Sequence, residues 1–571
     1  MKKIFLYSVA LLTAGSLMFT SCVDDLNTEP LSENVITADV AFAAPESYAQ
    51  YANYAYAYFS FVSQSDPGVS DIAVDNAGQS EYIRQYMDLN EMAADSFQVI
   101  DAWADDYVKP LQYGYWNGTN AAVMAVYLRG LKAIAMCNQF LDPAVSSDAA
   151  VTARGHESVL ADVQAYRSEL RLLRALHQSI LMDLFGNPPL VTLESLQSGA
   201  LPKQMEGGRA SLFTWIETEL LELVDDPYLP ATPIAYPRLS KGAAWAILAR
   251  LYLNAEVYTG TARWSDAKMA AEKVITEGGY ELCDNYQYLF YQDNTTNGAQ
   301  KEFIVAAMYD TQTTPSYGGT THLSVGAVNE TMKTEAHKLV GLADPIYNGS
   351  WNGYHVSNDF VMKNFDLKDV NWNNNGDITW GYDVAASDQR AAFCNYKMQN
   401  AFFNETSELN NGWFCLKWLP ITSDKRSYMV EQGNDFSSAD FPIYRLAEMY
   451  LISAEAEARM GNGTLSANDP GYKRIQRIRQ RANGAADVMP LTIDLDYILA
   501  ERARELYWEG HRRTDLIRYG YFLTATYPWP NKGGVANGVI ALDSHRTVYP
   551  IISSDMITNS ALEQNEGYPH H

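Results

Sequence analysis

Glu505 and Glu509, which lie one helical turn apart, are the two residues whose type and spacing best suit acid–base chemistry. A pair of carboxylates can hydrolyse a glycosidic bond when one of them is held protonated as the general acid. Arg512 and Arg513 follow closely, and neighbouring guanidinium groups would keep both carboxylates ionised, which suits a general acid poorly. A structural ion-pair network, with Glu509 bound to Arg512 or Arg513, is therefore the favoured interpretation, and a catalytic pair is the alternative.

Motifs for phosphate or metal binding are weak in this chain. Residues 461–463 carry only two glycines of a phosphate loop, and the nine histidines include no HExxH pattern. The runs 293–298 and 371–376 are rich in Asn and Gly like the start of a calcium loop, but Tyr382 stands where the second run needs its last ligand. We expect turns at both places and no cofactor, with calcium as the open alternative.

The composition is that of an acidic, aromatic-rich globular chain. Its 571 residues include 68 acidic and 42 basic side chains, and the formal charge of -26 would repel a phosphate backbone, which argues against nucleic acid as a partner. The hydrophobic fraction of 47% is ample for a large core. The 38 Tyr and 12 Trp exceed what a core needs, and exposed aromatic faces suit ligands such as sugar rings.

Amphipathic helical patterns recur along the chain and predict the scaffold that positions these residues. Several of them form helix–turn–helix pairs, the unit of a tetratricopeptide-like solenoid, so the fold class is mostly α. The expected helical segments are 43–61, 121–141, 159–185, 212–224, 241–278, 447–460, 472–483 and 501–520. Leu499, just before the last segment, and Ala503, Leu506 and Gly510 within it would form one buried stripe, with Glu501, Arg502, Arg504 and Glu505 on the flanks.

Two stretches depart from the helical pattern. Residues 286–439 are rich in Asn, Gly, Thr, Asp and aromatics, which predicts a loop-rich excursion with short strands rather than helices. Residues 64–120 show no long helical period and predict loops over the helical body. The expected organisation is thus a helical body, 43–285 and 440–571, interrupted by the excursion at 286–439.

The N-terminus has the pattern of a bacterial secretory signal over residues 1–21. Lys2 and Lys3 precede an apolar run that ends in Thr20-Ser21-Cys22, like a lipobox, so Cys22 is expected to become the lipidated first residue of the mature chain. Residues 22–42 would then tether the body to a membrane, because several acyl chains on one cysteine anchor stably. An acidic pair at positions 24 and 25 resembles a surface-export signal, and no later segment is expected to span a membrane.

The other cysteines are scattered and form no CxxC or zinc-like spacing. Cys137 lies in an apolar run and is expected in the core. Cys137, Cys283, Cys394 and Cys415 could pair in three ways, but we expect free thiols.

Six segments of this chain, in order, resemble the recurrent segments of the SusD/RagB family of outer-membrane glycan-binding lipoproteins. Their order behind a lipobox makes the resemblance far more specific than any single match. The segments are LRLLRALHQSILMDLFGNPPLV (170–191), KGAAWAILARLYLNAEVYTG (241–260), FPIYRLAEMYLISAEAEARMGNG (441–463), IQRIRQRA (475–482), ERARELYWEGHRRTDLIRYG (501–520) and YPIISSDMITNSALEQNEGY (549–568).

The resemblance implies a helical body rich in tetratricopeptide repeats, no catalytic activity, and a partner. That partner would be a TonB-dependent outer-membrane transporter of the SusC type, over which the lipoprotein acts as a lid. Within the family the likeness is greatest to the starch-binding member, through LYLNAEVYTG, the Tyr-Gly-Gly at 317–319 and the terminal QNEGY.

The same resemblance places a glucan site on an arc of aromatic residues. Trp103, Tyr317 and Trp351 match the arc, and Arg84 and Asp106 stand where polar contacts to sugar hydroxyls are expected, with Asp106 in place of an amide. Burial in the core is an equal interpretation for any one aromatic residue taken alone. The expected function is capture of a neutral oligosaccharide, such as an α-glucan, for the transporter; a glycosidase using Glu505 and Glu509 and a peptide-binding scaffold are the alternatives.

Overall fold

The structure is a computed structural model that describes residues 37–63, 66–99, 105–365, 388–395, 412–535 and 538–570. Its α-helices are α1 Ala38–Ala41, α2 Glu46–Ala57, α3 Tyr82–Met87, α4 Val108–Tyr113, α5 Ala121–Phe140, α6 Pro143–Ser146, α7 Asp148–Ala153, α8 Leu160–Phe185, α9 Leu193–Ser198, α10 Gly208–Asp225, α11 Lys241–Leu253, α12 Ala255–Thr259, α13 Trp264–Glu277, α14 Gly319–Val325, α15 Glu330–Leu339, α16 Asn358–Phe365, α17 Tyr428–Gln432, α18 Leu446–Met460, α19 Pro470–Asn483, α20 Leu495–Leu506, α21 Arg512–Arg518 and α22 Ser553–Thr558.

The strands are short and form two-stranded antiparallel pairs. They are β1 Phe97–Val99, β2 Pro189–Leu190, β3 Lys203–Gln204, β4 Phe303–Ala307, β5 Tyr354–Val356, β6 Phe393–Cys394, β7 Phe414–Cys415, β8 Phe441–Arg445, β9 Thr464–Ser466 and β10 Thr492–Asp494. The pairs are β1 with β5, β2 with β3, β4 with β8, β6 with β7 and β9 with β10. The helices therefore carry the fold, and two of the strand pairs, β1 with β5 and β4 with β8, join segments that are distant along the chain.

The body is built from successive antiparallel helices, as the sequence predicted. α5, α8 and α10 pack side by side, and α11, α13, α18 and α19 continue the stack. The tetratricopeptide-like, mostly α fold class is confirmed. Several helix ends coincide with local sequence signals: Asn120 caps α5 through the N–H of Ala122 at 3.1 Å, Ser240 caps α11, and α8 stops at Gly186, where φ is 71°.

One helix, α5, has the length and composition of a membrane span but is packed inside the protein. This helix of 20 residues has a mean hydropathy of 1.2, so by length and composition alone it could cross a membrane. In the structure 67% of that apolar window is buried inside the protein. Its neighbours α3 and α8 cover it, which is the packing of a core helix.

The excursion contains more helix than its composition suggested. α14, α15 and α16 all lie within it, so the expectation of strands and loops without helices is wrong there. A separate apolar cluster around Val328, Met332, Ile346, Phe414 and Ile421 gives the excursion a core of its own. Short amphipathic helices can form on so small a core because tertiary packing, rather than intrinsic helix propensity, stabilises them.

Residues 80–99 are buried throughout, so this part of the predicted surface loops lies inside the protein. α3 packs against α5 and α14, and β1 pairs with β5 of the excursion. The cysteines agree with expectation, because Cys137, Cys283, Cys394 and Cys415 are buried free thiols.

Candidate functional site

The helix that carries Glu505 ends earlier than the sequence predicted. α20 stops at Leu506. The chain then turns at Trp508 and Gly510, whose φ angles are 59° and 82°. Both residues occupy the left-handed region that interrupts a right-handed helix. Glu509 therefore leaves the helix and does not lie one turn above Glu505.

Glu509 binds two cations from other parts of the chain. Nε of Arg445 donates to its Oε2 at 2.6 Å, and Nζ of Lys417 donates to its Oε1 at 2.7 Å. All three side chains are buried. The predicted pairing of Glu509 with Arg512 or Arg513 is wrong, because the turn after α20 directs those arginines elsewhere.

Arg512 and Arg513 instead fasten α21 to the first half of the chain. Arg512 contacts both carboxylate oxygens of Asp95, at 2.6 and 3.0 Å, in a buried bidentate pair. Nη1 of Arg513 donates to Oδ2 of Asp183 at 3.2 Å. These pairs cross more than 300 residues of sequence, so the ionic residues of this segment hold the fold together.

Glu505 lies among three guanidinium groups. Nη1 of Arg445 donates to its Oε1 at 2.6 Å, Arg481 binds the same oxygen, and Arg390 is 3.3 Å from Oε2. Burial alone would raise the pKa of Glu505, but the three positive charges outweigh it and hold the pKa well below the usual range. A carboxylate kept ionised and 0% exposed has neither the proton nor the access that a general acid needs.

The flanks of α20 are also more buried than predicted. Glu501 and Arg502 are fully enclosed, and only Arg504 is partly exposed. Burial opposes ionisation of Glu501, yet the guanidinium groups of Arg390, Arg504 and Arg479 lower its pKa to about 2. The charge-rich stretch is thus an internal ionic network rather than an amphipathic surface helix.

Tyr317 presents an exposed aromatic face because the two glycines after it pack closely on the body. Its side chain is 42% exposed. A Cβ on Gly318 would lie 2.4 Å from Cβ of Glu81, and one on Gly319 would lie 2.0 Å from the Tyr309 hydroxyl oxygen. Gly319 also has a φ of 49°. Both positions therefore require glycine because a Cβ would overlap a neighbouring side chain, and Gly319 also requires it because of its backbone conformation.

Glu81 joins this loop to the helix that carries Arg84. As the N-cap of α3, its Oε2 accepts the N–H of Arg84 at 2.5 Å, and the same oxygen accepts the N–H of Gly319 at 3.0 Å. The Tyr309 hydroxyl donates to the other carboxylate oxygen. Burial raises the pKa of Glu81 to about 7. One buried carboxyl group thus fixes the positions of two predicted site segments.

Arg84 is buried beneath the site rather than exposed on it. Its Nη2 lies 3.0 Å from Oδ2 of Asp105, 3.1 Å from the Tyr107 hydroxyl and 3.3 Å from the Tyr354 hydroxyl. Only 5% of its surface is accessible. In this structure Arg84 organises the polar groups around it.

Trp351 lies at the C-terminal end of α14, whereas Tyr317 precedes the start of that helix. Its backbone N–H donates to Val325 at the end of α14, at 3.0 Å, and its half-buried ring packs against His322 with centroids 6.1 Å apart. His322 in turn contacts the Tyr354 ring, at 4.0 Å, above Arg84. A continuous series of rings therefore connects Trp351 to the Arg84 cluster.

The predicted site residues fall into three groups. Tyr317, Trp351 and Arg84 come together around α3 and α14, and a Cβ on Gly78 would lie 3.4 Å from Cβ of Tyr317 and 2.9 Å from Nη1 of Arg84. Asp106 is exposed in a cleft beside them. Trp103 lies outside the described residues, as does Cys22.

Sequence reasoning missed Phe436 and Glu81. The Phe436 ring packs against Tyr317 with centroids 5.0 Å apart and a tilt of 59°, so the exposed aromatic surface has two members here. No periodic pattern surrounds Phe436 in the sequence. Glu81 carries no clear sequence signal either, because Glu is an uncommon N-cap residue.

The calcium-like run at 293–298 forms a hydrogen-bonded turn. Oδ1 and Oδ2 of Asp293 accept the N–H of Ser423, both at 3.0 Å, and the Asn294 amide donates to the backbone of Leu289 and Asp440. Within the part of the chain that the structure describes, no group of three or more His, Cys, Asp or Glu could hold a metal ion. The run at 371–376 and Tyr382 lie outside that part.

Two comparisons of the sequence with known proteins point to the same family. A model of the SusD family matches residues 301–568. The chain is 31% identical to the starch-binding protein SusD of Bacteroides thetaiotaomicron, over 99% of this chain and 98% of that protein.

Solved structures share the fold at lower identity. NanU of B. fragilis superposes with a TM-score of 0.65 and 18% identity, covering 95% of this chain and 100% of its own. Surface glycan-binding protein A from Bacteroides thetaiotaomicron, in complex with laminarihexaose, superposes with a TM-score of 0.62 and 19% identity, covering 91% of this chain and 99% of its own. Because the identity to SusD extends over the full length of both proteins, this chain belongs to the SusD family.

Proposed function

We propose that this chain is a cell-surface lipoprotein that binds a neutral α-glucan, such as starch or its oligosaccharides, without hydrolysing it. The observation that carries the proposal is the full-length similarity to a protein named for starch binding. Glucan chains present flat apolar sugar faces and hydroxyl rims, and aromatic side chains with neighbouring polar groups recognise that combination.

The aromatic surface around Tyr317 supports the proposal. We call the Tyr317, Phe436 and Trp351 side chains, together with the Arg84 cluster beneath them, the aromatic platform. Two of its rings touch each other, and its glycine-packed loop holds Tyr317 in place before any ligand arrives. A ring that is already ordered loses little conformational freedom on binding, which favours affinity.

Glu505 and Glu509 support a binding role without catalysis. Both are buried, at 0% and 1% exposure, and both are engaged by arginine or lysine side chains. The glycosidase alternative needs a carboxyl pair that can reach a sugar, and this pair does not meet that need. Incubation with starch should therefore release no reducing sugar, and sugar release that is lost in Glu505→Gln would overturn this part of the proposal.

The binding proposal is tested by calorimetry and affinity electrophoresis against starch, pullulan, laminarin and a non-glucan polysaccharide. We expect binding to the α-glucans and a loss of about fivefold or more in affinity for Tyr317→Ala, because truncating an aromatic anchor costs ~1 kcal/mol or more. Tyr228→Ala is the matched control, since Tyr228 is a tyrosine of similar exposure, 47%, away from the platform. Absence of binding to every glucan would remove the substrate assignment.

Delivery to an outer-membrane transporter completes the proposal. The lipobox-like sequence at Cys22 and the acidic residues after it are the features that motivate a lipid anchor facing the exterior. Mass spectrometry of the mature N-terminus should detect a lipidated Cys22, and Cys22→Ala should leave the protein unanchored. A TonB-dependent barrel of the SusC type should copurify from membranes; recovery of soluble proteins alone would instead favour a peptide-binding scaffold.

A further inference from the structure

A polar cleft of about 490 Å³ opens beside the aromatic platform, on a part of the surface that the platform itself does not include. It lies between the 3₁₀ turn at Gly78–Ser80, the start of α4 and the turn that leads into α5. Its lining includes Gln79, Asp105, Asp106, Tyr115, Asn117 and Thr119. A volume of this size falls within the range of small-molecule binding clefts, roughly 300–1,000 Å³.

The cleft is continuous with the platform. Gly78 lies against Tyr317 on one side, where a Cβ would be 3.4 Å from Cβ of Tyr317, and the next residue, Gln79, lines the cleft. Nε2 of Gln79 donates to Oδ1 of Asp105 at 2.6 Å, while Oδ2 of Asp105 binds Arg84 at 3.0 Å. The wall of the cleft and the base of the platform therefore share one hydrogen-bonded unit.

An exposed aromatic ring forms part of the cleft lining, on the turn after α4. Tyr115 is 50% exposed, and its ring packs against that of Tyr113 with centroids 5.8 Å apart. Gly114, between them, ends α4 with a φ of 81°, and a Cβ there would lie 2.7 Å from a methyl group of Leu542. The turn that presents Tyr115 is thus fixed by close packing, in the same way as the Tyr317 loop.

The chemistry of the lining selects a neutral, hydroxyl-rich ligand. Amide and hydroxyl groups from Gln79, Asn117 and Thr119 line the cleft. Among the described residues that line it there is no lysine or arginine, and Arg84 is bound to Asp105 behind the wall. Asp105 is paired with that arginine, but the exposed carboxylate of Asp106 adds negative charge that would repel phosphate, sulfate or carboxylate. Carboxylate and amide oxygens beside a half-exposed ring match the hydroxyl rim and apolar face of a sugar.

We propose that this cleft is a second sugar subsite, which takes the glucan units that continue past the aromatic platform, with Tyr115 as its stacking residue. The inference rests on the proposed function and adds a preference for chain length. A short oligosaccharide occupies the platform alone, whereas a longer one runs past Gln79 and reaches Tyr115. Truncating Tyr115 should therefore weaken the binding of long chains only.

The test compares maltotriose with maltoheptaose by calorimetry on five full-length proteins: wild type, Tyr115→Ala, Tyr115→Phe, Tyr317→Ala and Tyr228→Ala. We expect Tyr115→Ala to bind maltotriose as the wild type does and to lose about five- to tenfold in affinity for maltoheptaose. Tyr115→Phe keeps the ring and should bind both sugars normally. Tyr317→Ala should weaken both. Tyr228→Ala serves as the exposed-tyrosine control, and circular dichroism checks the fold of each variant.

The outcomes separate this inference from the proposed function. If wild type binds both sugars and Tyr115→Ala leaves both affinities unchanged, or lowers them equally, the second subsite is wrong while the glucan-binding proposal stands. If wild type binds neither sugar, the α-glucan assignment fails, and the subsite assigned to that ligand fails with it. Loss confined to maltoheptaose supports the subsite.

Discussion

Oε2 of Glu81 accepts a hydrogen bond from the backbone N–H of Gly319 at 3.0 Å, across 238 residues of sequence. The same oxygen caps α3, so a single atom sets the distance between the helix of Arg84 and the loop of Tyr317. Glu81 is thereby a positioning residue for the proposed platform, although it does not reach the surface itself.

Replacing Glu81 by alanine should both destabilise the protein and weaken glucan binding. Three donors, from Arg84, Gly319 and Tyr309, would lose their acceptor in a buried place, and unsatisfied buried groups cost about 1–3 kcal/mol each. Denaturant unfolding and calorimetry measure the two effects. Glu81→Gln keeps an acceptor oxygen and should retain most of the affinity; equal loss in both variants would contradict the positioning role.

Stability should depend on pH through Glu81 in a defined direction. Its pKa is raised by burial from the ordinary value of 4.5 to about 7, so its contribution is present below pH 4.5 and is lost as the pH rises through 7. Glu81→Gln lacks this titration. The stability of the glutamine variant relative to wild type should therefore increase by about 2 kcal/mol between pH 5 and pH 8.

The prediction concerns the difference in stability between Glu81→Gln and wild type, because other buried groups titrate in the opposite direction and affect both proteins equally. Burial lowers the pKa of His177 to about 3 and holds the pKa of His322 and His511 well below the usual range. Neutral buried histidines contribute stability above pH 6.5 that is lost on acidification. Denaturant midpoints of both proteins across pH 5–8 give the difference, and a constant difference would rule out Glu81 as the titrating group.

Gly319→Ala should lower the free energy of unfolding more than a glycine-to-alanine substitution that introduces backbone strain alone. Gly341→Ala is the control, since Gly341 has a φ of 74° and no neighbouring atom lies within 4 Å of the place that a Cβ would occupy. A left-handed alanine costs roughly 1–2 kcal/mol, and the overlap with Tyr309 should add about 1–3 kcal/mol at Gly319. Unfolding free energies test the difference, and only Gly319→Ala should lower glucan affinity.

Arg512→Ala should reduce the yield of folded protein. It leaves the buried carboxylate of Asp95 without its bidentate partner, and breaking a buried pair in this way costs about 3–5 kcal/mol. Arg426→Ala is the control, because Arg426 and Asp424 form an exposed pair. The denaturant midpoint of Arg426→Ala should match that of the wild type. The folded fraction of Arg512→Ala should still bind glucan; selective loss of binding in a well-folded Arg512→Ala protein would place Arg512 in the site.

Dialysis against EDTA should leave both the melting temperature and glucan affinity unchanged. The oxygens of Asp293 are occupied by hydrogen bonds from Ser423, which is the arrangement of a turn. A fall in melting temperature that calcium reverses and magnesium does not would establish a calcium site in this chain.

Local signals predicted the helices well and the ionic contacts poorly. The pattern over 159–185 gave α8 within one residue, because an apolar stripe and the glycine and prolines that follow it are both local. The partners of Glu509 depend on the turn at Trp508, a non-glycine residue in a left-handed conformation, and nothing in the flanking sequence indicates it. Arg512 meets Asp95 across 417 residues, a separation that periodicity cannot reveal.

The residues of the proposed aromatic platform were predicted only in part, because some of them depend on contacts between distant segments of the chain. Tyr317 was identified because the Tyr-Gly-Gly at 317–319 resembles a segment of the family. The spatial requirement for those glycines comes from Glu81 and Tyr309 and could be seen only in the structure. Arg84 lies near Tyr317 as the resemblance implied, but its burial could not be predicted, because it depends on hydrogen bonds to Tyr107 and Tyr354 from other segments. Phe436 reaches Tyr317 from a segment with no distinguishing pattern.

The contact between Arg84 and Tyr354 joins residues 270 positions apart, and the β1–β5 pair joins the same two parts of the chain. A glucan that contacts both segments would stabilise the folded state, because it binds only when the two segments are together. Bound ligand stabilises a folded protein by RT ln(1 + [L]/Kd), about 2.7 kcal/mol at a hundredfold excess over Kd. Nutrient in the medium would then lengthen the lifetime of the folded receptor, and starvation would shorten it.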